Sequence, residues 1–272
     1  MDQSQEKDQV RKAVRERYAG IAESGAAPAD TCCGESSSCC GSAPQAAADQ
    51  DEISRQLGYS LEELAEAPDG ANLGLGCGNP QAIAALKPGE VVLDLGSGAG
   101  FDCFLAARAV GETGRVIGVD MTPEMVARAR EIARESGHAN AEFRLGEIEH
   151  LPVADGTADV IISNCVINLS PDKPAVFREA FRALKPGGRL AVSDVVRVAP
   201  FPAEWLQDLD LVCSCVTGAS SVPELEAVMT EAGFTDISIS PKDESKKFIR
   251  DWKPWTKLEE YVLSSSITAV KP

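Results

Sequence analysis

The chain has 272 residues, a formal net charge of −16 and nine cysteines. Its length suffices for one large domain with a buried core, and its acidic balance argues against nucleic acid or an anionic membrane as a partner. No apolar run approaches the roughly 18 residues of a membrane-spanning helix, and the charged residues throughout positions 1–18 do not fit a signal peptide. We therefore expect a cytoplasmic protein, in which cysteines serve metal binding or redox chemistry more often than a disulfide framework.

The first part of the chain, residues 1–70, is predicted to be an N-terminal extension that contains a helix and a mobile cysteine-rich segment. Apolar residues recur at helical spacing over 4–22, which predicts an amphipathic helix. Residues 24–50 are dominated by alanine, glycine, serine and proline, which predicts a mobile loop. That loop carries the pairs Cys32-Cys33 and Cys39-Cys40, which are able to bind soft metal ions or to exchange disulfides with other thiols.

Two short motifs follow this loop. Ser60 and Glu63 have the spacing of a helix capping box. Cys77 lies between Gly76 and Gly78, just before a predicted helix over 80–86. A buried core cysteine usually belongs to an apolar element, so a cysteine in a glycine-flanked loop favours a functional role.

A strand, a tight turn and a helix are predicted over residues 91–110. The apolar run 91–95 stops at Gly96, Gly98 and Gly100, and helical spacing follows from 101. A glycine turn at a helix N-terminus suits an anion or a polar ligand tail, because its N–H groups are unpaired and a ligand can approach the backbone. The Gly-x-Gly-x-Gly spacing differs from the Gly-x-Gly-x-x-Gly of dinucleotide sites.

Two carboxylates flank this turn. Asp94 precedes the first glycine and is placed to accept from an ammonium group. Asp120 ends a predicted strand over 114–120, about 20 residues downstream, where it is placed to hold two ribose hydroxyls. The combined pattern resembles the nucleoside-binding half of class I S-adenosylmethionine (SAM) methyltransferases, the alternatives being a structural turn or an NAD site.

Strands and helices then alternate, which predicts an α/β fold with a parallel, doubly wound sheet. The remaining strands of this part are predicted at 141–145, 158–163 and 189–196, and the helices at 122–136 and 174–184. Ligands of such sheets bind at the carboxyl ends of the strands, where Asp94, Asp120, Asn164 and Cys165 lie. Residues 71–200 are accordingly predicted to be the SAM-binding domain.

Residues 201–272 are predicted to be the C-terminal part of the same domain. A helix over 202–212 runs into Cys213 and Cys215, which on a helix would point about 200° apart, so that only one faces a given site. A further helix is predicted at 222–232, and strands at 235–240 and 261–270.

Cys77, Cys165 and Cys215 are distant in sequence, but each lies where this fold has a loop. If they converge, three thiolates form a soft trigonal site that suits arsenic(III), whose lone pair fills the remaining direction. That lone pair is itself a nucleophile, and placed roughly 3–3.5 Å from a sulfonium methyl carbon it would need no general base. A zinc site has no support from spacing, because the chain has no Cys-x-x-Cys pair.

Four motifs carry a resemblance to the arsenite methyltransferase family. They are Gly76-Cys77-Gly78, Asp94-Leu95-Gly96-Ser97-Gly98-Ala99-Gly100, Ser163-Asn164-Cys165-Val166-Ile167-Asn168-Leu169 and Cys215-Val216-Thr217-Gly218-Ala219. The third is the most specific, since generic methyltransferases lack a cysteine there. The resemblance extends from about Tyr18 to the end of the chain and implies a class I SAM methyltransferase Rossmann-like sheet, mostly parallel with an antiparallel C-terminal strand.

The resemblance also implies transfer of methyl from SAM to trivalent arsenic, presented as a thiol complex, in arsenic detoxification. It assigns arsenic to Cys77, Cys165 and Cys215, and the methionine end of SAM to Asp94, Gly96, Gly98 and Gly100, with Ser97 in the same turn. It assigns the ribose to Asp120, the adenine to Met121, Glu147 and Ile148, and backbone contacts to Asn164.

A fourth family cysteine forms a disulfide with the one that matches Cys77, and thioredoxin or glutathione then reduces the enzyme. Here the chain departs from the family, with two vicinal pairs where one cysteine is expected. Cys32 or Cys33 fits the distance from Tyr18 best, and Cys39 and Cys40 remain open, as does the degree of methylation. Antimonite, also trivalent and thiophilic, is a second candidate substrate.

Two other functions stay open at this point. One is methylation of an organic small molecule by an enzyme whose cysteines are structural. The other is a metalloid-binding protein that keeps a SAM fold without turnover.

Overall fold

The computed structural model describes residues 3–25, 44–253 and 256–272, and its centre is a seven-stranded sheet. The strands are β1 (Val91–Leu95), β2 (Arg115–Asp120), β3 (Ala141–Leu145), β4 (Ala158–Asn164), β5 (Leu184–Arg197), β6 (Thr235–Pro241) and β7 (Val262–Val270). In the described ranges the α-helices are α1 (Gln3–Ser24), α2 (Pro44–Gln56), α3 (Leu61–Glu66), α4 (Gln81–Ala84), α5 (Phe101–Val110), α6 (Pro123–Ser136), α7 (Lys173–Ala183), α8 (Leu209–Cys213), α9 (Val222–Glu231) and α10 (Lys246–Trp252).

The sheet order is β3-β2-β1-β4-β5-β7-β6, in which β7 pairs antiparallel with both of its neighbours while β1 to β5 pair in parallel. This confirms the predicted α/β, mostly parallel, doubly wound fold with an antiparallel C-terminal strand. The order reverses between β1 and β4, so the carboxyl ends of these two strands border a crevice. Such a switch point is where ligands of open α/β sheets bind.

Side chains of the central strands alternate between two buried faces. On one face, Leu93 and Leu95 of β1 pack with α7 and α9. On the other face, Val92 packs with α1, α5 and α6. Asp94 lies two residues after Val92 and therefore on the same face of the sheet, so its carboxyl group points toward α5.

Several predicted elements differ from those observed. Helix α2 begins at Pro44, within the predicted loop 24–50, and α10 occupies a charged segment in which no helix was predicted. The predicted helix 202–212 is a 3₁₀ segment, Ala203–Gln207, followed by α8. Periodicity alone does not indicate such short helices, because tertiary packing supplies most of their stability.

Helix α1 packs across α6 and α8, and its apolar residues Val14 and Ile21 are buried. The helix is also tied by charge, since Lys7 pairs with Asp172 at 2.7 Å and Arg128 donates to the carbonyl of Ala22. Among the described residues, no helix has both the length and the apolar character needed to cross a bilayer.

Candidate functional site

A cleft with a cavity volume of about 350 Å³ opens at the carboxyl ends of β1, β2 and β4, a size typical of small-molecule sites. Its outer wall comes from α1, through Arg11, Val14, Tyr18 and Ile21. The predicted cofactor residues that line it are Asp94, Gly96, Ser97, Gly98, Asp120, Met121, Ile148 and Asn164. Cys165 and Cys215 line it as well.

Two predicted cofactor residues do not line the cleft. Gly100 has a packing role, since a Cβ there would lie 2.8 Å from the rings of both Phe104 and Phe143. Glu147 pairs with Arg11 and Arg15 of α1, at 3.5 and 3.7 Å. Its neighbour Glu149, which had not been predicted, lines the cleft instead and accepts from Ser170 at 2.7 Å.

The turn after β1 brings the backbone close to its neighbours. Gly96 has φ +74°, and a Cβ there would lie 2.4 Å from a methyl group of Val166. Gly98 has φ +52° and borders open space, with only Met125 Sδ 4.0 Å away. Glycine is therefore required at 96 for packing, whereas at 98 it leaves the backbone open toward the cleft.

Polar groups at the same end of the cleft fit a nucleoside ligand. Asp120 accepts from the N–H groups of Gly98 and Thr122, at 2.9 and 2.8 Å, and this fixes the carboxylate at the rim. The Ser97 hydroxyl is buried and has no hydrogen-bond partner among the described residues. A half-buried carboxylate with unused lone pairs and a buried hydroxyl that has no partner among the described residues suit the polar groups of SAM.

Asp94 and Asp102 form a buried acidic pair behind the turn. The thiol of Cys103 donates to Asp94 at 3.2 Å, and the hydroxyl of Tyr59 donates to Asp102 at 2.8 Å. Burial raises the pKa of Asp94 well above its usual range, and Asp102 raises it further. Burial likewise raises the pKa of Asp102 to about 6, against the hydrogen bonds from Tyr59 and Asn164.

Asn164, at the end of β4, connects the cofactor end of the cleft with the Cys77 loop. Its side-chain oxygen accepts from the N–H of Cys77 at 3.0 Å. Its side-chain nitrogen donates to the carbonyl of Gly78 at 2.9 Å and to the hydroxyl of Tyr59 at 3.0 Å. A Cβ on Gly76 would lie 2.8 Å from this amide, so the glycine next to Cys77 permits the contact.

The three cysteines singled out from the sequence lie together. The thiol of Cys165 is within hydrogen-bonding reach of both the Cys77 and Cys215 thiols. Cys215 also donates to the carbonyl of Cys165 at 2.7 Å, and Cys77 to the carbonyl of Ser193 at 3.6 Å. Cys77 is fully buried, whereas Cys165 and Cys215 face the cleft, so a ligand reaches the cluster past these two.

All three thiols are held in the neutral form when no ligand is bound. Burial raises the pKa of Cys77 to about 11. The hydrogen bond with Cys215 lowers the pKa of Cys165, but the one with Cys77 and burial together raise it well above the usual value. The hydrogen bond with Cys165 and burial raise the pKa of Cys215.

The backbone around Cys213 and Cys215 is not the predicted helix. Helix α8 ends at Cys213, and Cys215 has φ +63°, in the left-handed region. The expectation that only one of the two faces a given site depended on a continuous helix, and it is not met, because both Cys213 and Cys215 line the cleft. Cys165 also has positive φ, +58°. Both cysteines follow a regular element at the point where the chain reverses toward the cleft.

Three polar residues beside the thiols were not among the predicted site residues. Sγ of Cys77, Sγ of Cys165 and a carboxylate oxygen of Asp194 lie within 4.8 Å of one another. Asp194 accepts from the side chain of Asn168 at 2.8 Å, and Lys173 donates to the carbonyl of Gly218 at 2.5 Å. The available signal for Asp194 was a carboxylate inside the apolar run 190–196, where an acidic residue has to have a partner.

The predicted relay cysteine Cys32 and its alternatives Cys33, Cys39 and Cys40 lie outside the described residues, so this assignment stays a prediction. Cys103 is fully buried in α5, where its thiol contacts Asp94.

Comparisons with known proteins point to one family. The family model described as Methyltransferase domain matches residues 86–259. An arsenite methyltransferase from Halobacterium salinarum is 54% identical over 267 residues, which is 97% of this chain and 67% of that protein. One from Aquipseudomonas alcaligenes is 49% identical over 168 residues, 59% of this chain and 48% of that protein.

A solved structure agrees with these relatives. The crystal structure of an arsenic(III) S-adenosylmethionine methyltransferase from Chlamydomonas reinhardtii superimposes with a TM-score of 0.62 at 34% identity, covering 81% of this chain and 73% of that chain. The chain thus spans between about half and three quarters of the length of these three proteins.

Proposed function

Because the chain belongs to the arsenite methyltransferase family and has the fold of SAM-dependent methyltransferases, we propose that it transfers methyl groups from SAM to trivalent arsenic held by Cys77, Cys165 and Cys215. The observation that carries the proposal is the meeting of these thiols, from three distant segments, at the inner end of the cleft. Soft thiolates bind trivalent arsenic, and three of them in one place leave its lone pair a free direction.

Residues at one end of the cleft would bind the cofactor, and the thiols at the other end would bind the arsenic substrate. When bound, SAM supplies an electrophilic methyl group on a sulfonium sulfur. Asp120 would hold its ribose, and Asp94 and the glycine turn with Ser97 would hold its methionine end. The thiols need no separate base: when arsenite or its thiol complex exchanges onto them, each thiol proton leaves with a departing hydroxide or thiolate.

Water exclusion is the second contribution of the chain. Cys77 is fully buried, and the apolar side chains of Val14, Ile21 and Leu169 line the cleft. A dry site strengthens electrostatic interactions with a cationic methyl donor and protects trivalent arsenic from hydrolysis. Positioning at the cluster is therefore expected to supply most of the catalysis.

The finer parts of the proposal follow the family resemblance. The substrate is arsenite as a thiol complex, and the physiological role is arsenic detoxification. After each transfer the arsenic is pentavalent, and an N-terminal cysteine together with Cys77 returns two electrons to it by forming a disulfide. Cys32 is our first choice for that partner, and thioredoxin or glutathione then reduces the disulfide.

The experiment is methyl transfer from labelled SAM to arsenite in the presence of glutathione and thioredoxin. Wild-type protein is expected to give methylated arsenicals, and Cys165→Ser to abolish them while it still binds SAM and unfolds at a similar temperature. Arsenic binding without a methylated product would indicate a metalloid-binding protein. Undiminished activity of Cys165→Ser on an organic acceptor would indicate the other rival function.

A further inference from the structure

The thiol cluster has a fourth donor of a different chemical kind. One carboxylate oxygen of Asp194 lies within 4.8 Å of both the Cys77 and the Cys165 sulfur, and Asp194 is only 2% exposed. Arsenic(III) in a trigonal thiolate site has no use for this donor, because its lone pair occupies the fourth direction. The carboxylate therefore needs another explanation.

The surroundings of Asp194 hold its carboxylate in place as they would a metal ligand. Its Oδ1 accepts from the N–H of Val195 and from the side chain of Asn168, both at 2.8 Å. Its Oδ2 accepts from the backbone N–H of Asn168 at the longer distance of 3.3 Å, and the backbone of Ile167 also contributes a hydrogen bond to the carboxylate. Ligating carboxylates in metal sites are oriented by hydrogen bonds of this kind.

The number, type and spacing of the donors fit a tetrahedral cation. Three sulfurs and one oxygen from separate elements are compatible with Zn²⁺, whose sulfur and oxygen ligands lie about 2.3 and 2.0 Å from the metal. Such donors are then roughly 3.5–4 Å apart, so the 4.8 Å spread of the Cys77, Cys165 and Asp194 donors is closed by small side-chain adjustments, and Cys215 joins them from its position beside the Cys165 thiol. No Cys-x-x-Cys pair is needed, because the sheet edge brings the ligands together.

The electrostatics of the site favour a cation. A divalent ion would offset two of the four negative charges of the carboxylate and the three thiolates that its binding creates. Lys173, itself largely buried, lies close enough to Asp194 and Cys215 to interact with both. It balances part of the remaining negative charge.

We propose that Cys77, Cys165, Cys215 and Asp194 also form a four-donor site for a thiophilic divalent cation such as Zn²⁺ or Cd²⁺. Binding releases the thiol protons to the solvent and changes no oxidation state. The ion enters past Cys165 and Cys215. If the same thiols hold arsenic, which is the function proposed above, the ion and arsenite exclude each other, and a divalent metal acts as a competitive inhibitor of arsenic methylation.

The test is titration of reduced, full-length protein with Cd²⁺, followed by the ultraviolet sulfur-to-cadmium charge-transfer absorption. All samples carry serine at Cys32, Cys33, Cys39 and Cys40, which removes competing thiol pairs. Arsenite is titrated into the same proteins in parallel. Asp194→Asn tests the fourth donor, and Glu149→Gln is the matched control, since Glu149 is a buried carboxylate of the same cleft that is not part of the donor cluster.

We expect one Cd²⁺ per chain, displaced by arsenite. Asp194→Asn should weaken Cd²⁺ binding at least about tenfold, the lower value for loss of an outer-shell partner. It should change arsenite affinity less than threefold. Glu149→Gln should change the affinity for either ligand less than threefold. The proposal is overturned if Asp194→Asn leaves Cd²⁺ binding unchanged, if it weakens both ligands equally, or if Glu149→Gln has the same effect.

One alternative measurement and one alternative outcome also test the proposal. If Asp194→Asn does not fold, zinc-edge X-ray absorption of the Zn²⁺-loaded parent is expected to show three sulfur ligands and one oxygen, and any other sulfur count overturns the proposal. If arsenite fails to bind while Cd²⁺ binding depends on Asp194, the proposed function fails and the four-donor site stands.

Discussion

The two ends of the cleft are built by different means. At the cofactor end, Asp94, the glycine turn and Asp120 belong to one strand–turn–helix–strand unit, and local backbone geometry fixes their positions. At the thiol end, Cys77, Cys165 and Cys215 come from three distant segments that only the complete sheet brings together. The geometry of the cofactor end is therefore determined by a local motif, and that of the thiol end by the complete fold.

Because of this difference, the thiol end depends on the structure of the cofactor end more than the cofactor end depends on the thiols. Val166 packs directly on Gly96, and Asn164 ties the Cys77 loop to Tyr59 and Asp102, so the thiol end rests on the cofactor end. Removal of a thiol should leave SAM binding intact. Damage to the turn should disturb both ends.

The largest effect is expected from the thiols themselves. Cys215→Ser should lower arsenic methylation at least about a hundredfold, because a hydroxyl is a poor ligand for a soft acceptor and even outer-shell losses reach that size. Cys213→Ser, two positions away, should lower it less than threefold. Both are measured as kcat/KM for arsenite, and equal losses would contradict the assignment of Cys215.

Gly96→Ala should disturb both the cofactor end and the thiol end of the cleft. Its φ of +74° and the methyl group of Val166 at 2.4 Å predict a loss of about 3 kcal/mol in the free energy of unfolding, from backbone strain and overpacking together. The measurement is urea denaturation. Gly137→Ala is the control, because its φ is +74° in the left-handed region and no described residue would lie within 4 Å of the added Cβ, and it should lose only the strain component, about 1–2 kcal/mol.

Partial rescue would identify the contact responsible. The double variant Gly96→Ala, Val166→Ala should regain stability relative to Gly96→Ala alone, since the smaller side chain leaves room for the added methyl group. Strictly additive losses would mean that the two positions do not communicate through this contact.

The buried Asp102 predicts a pH dependence. Its pKa of about 6 lies above the ordinary 3.8, so the folded state binds the proton more tightly, and the stability this provides is lost as the pH rises from about 4 through 6. Relative to Asp102→Asn, which cannot titrate, the wild type should lose roughly 2 kcal/mol over that window. Urea midpoints at several pH values check this, and a constant difference would contradict it.

Asp120→Asn should give the smallest effect and sharpen the comparison. The amide keeps one acceptor oxygen but loses the charge, so the SAM dissociation constant should rise about tenfold, the size expected for a weakened charge-assisted hydrogen bond. Arsenite affinity should stay unchanged. Calorimetric titration with each ligand measures both, and a matching loss of arsenite affinity would show that the ends are not separable.

The sequence predicted the cofactor end in more detail than the thiol end. The strand, turn and helix around Gly96 and the helix over 101–110 agree with the structure because periodicity and glycine spacing are local signals. Cys165 was placed from the same rule, as the residue after a strand end. The convergence of Cys77 and Cys215 with it came only from family resemblance, since no local pattern encodes contacts across the sheet.

Other features lay beyond sequence reasoning for physical reasons. The left-handed turn at Cys215 follows the end of α8 at Cys213, which helical periodicity in the sequence does not indicate. Asp194 and Lys173 gave no motif, because their importance lies in which thiols they face. Gly218 is similar: a Cβ there would lie 2.0 Å from the carbonyl of Asn168, a requirement that only the folded loop reveals.

The left-handed backbone of Cys165 and Cys215 lowers the stability of the fold at two residues of the site. Each of these side chains is held where an L-residue pays about 1–2 kcal/mol and glycine pays almost nothing. Glycine at both positions would relieve that backbone strain, but it would remove two buried sulfurs that line the cleft. The strain at Cys165 and Cys215 is therefore an energetic cost of presenting these two sulfurs to the cleft, as is common for residues of functional sites.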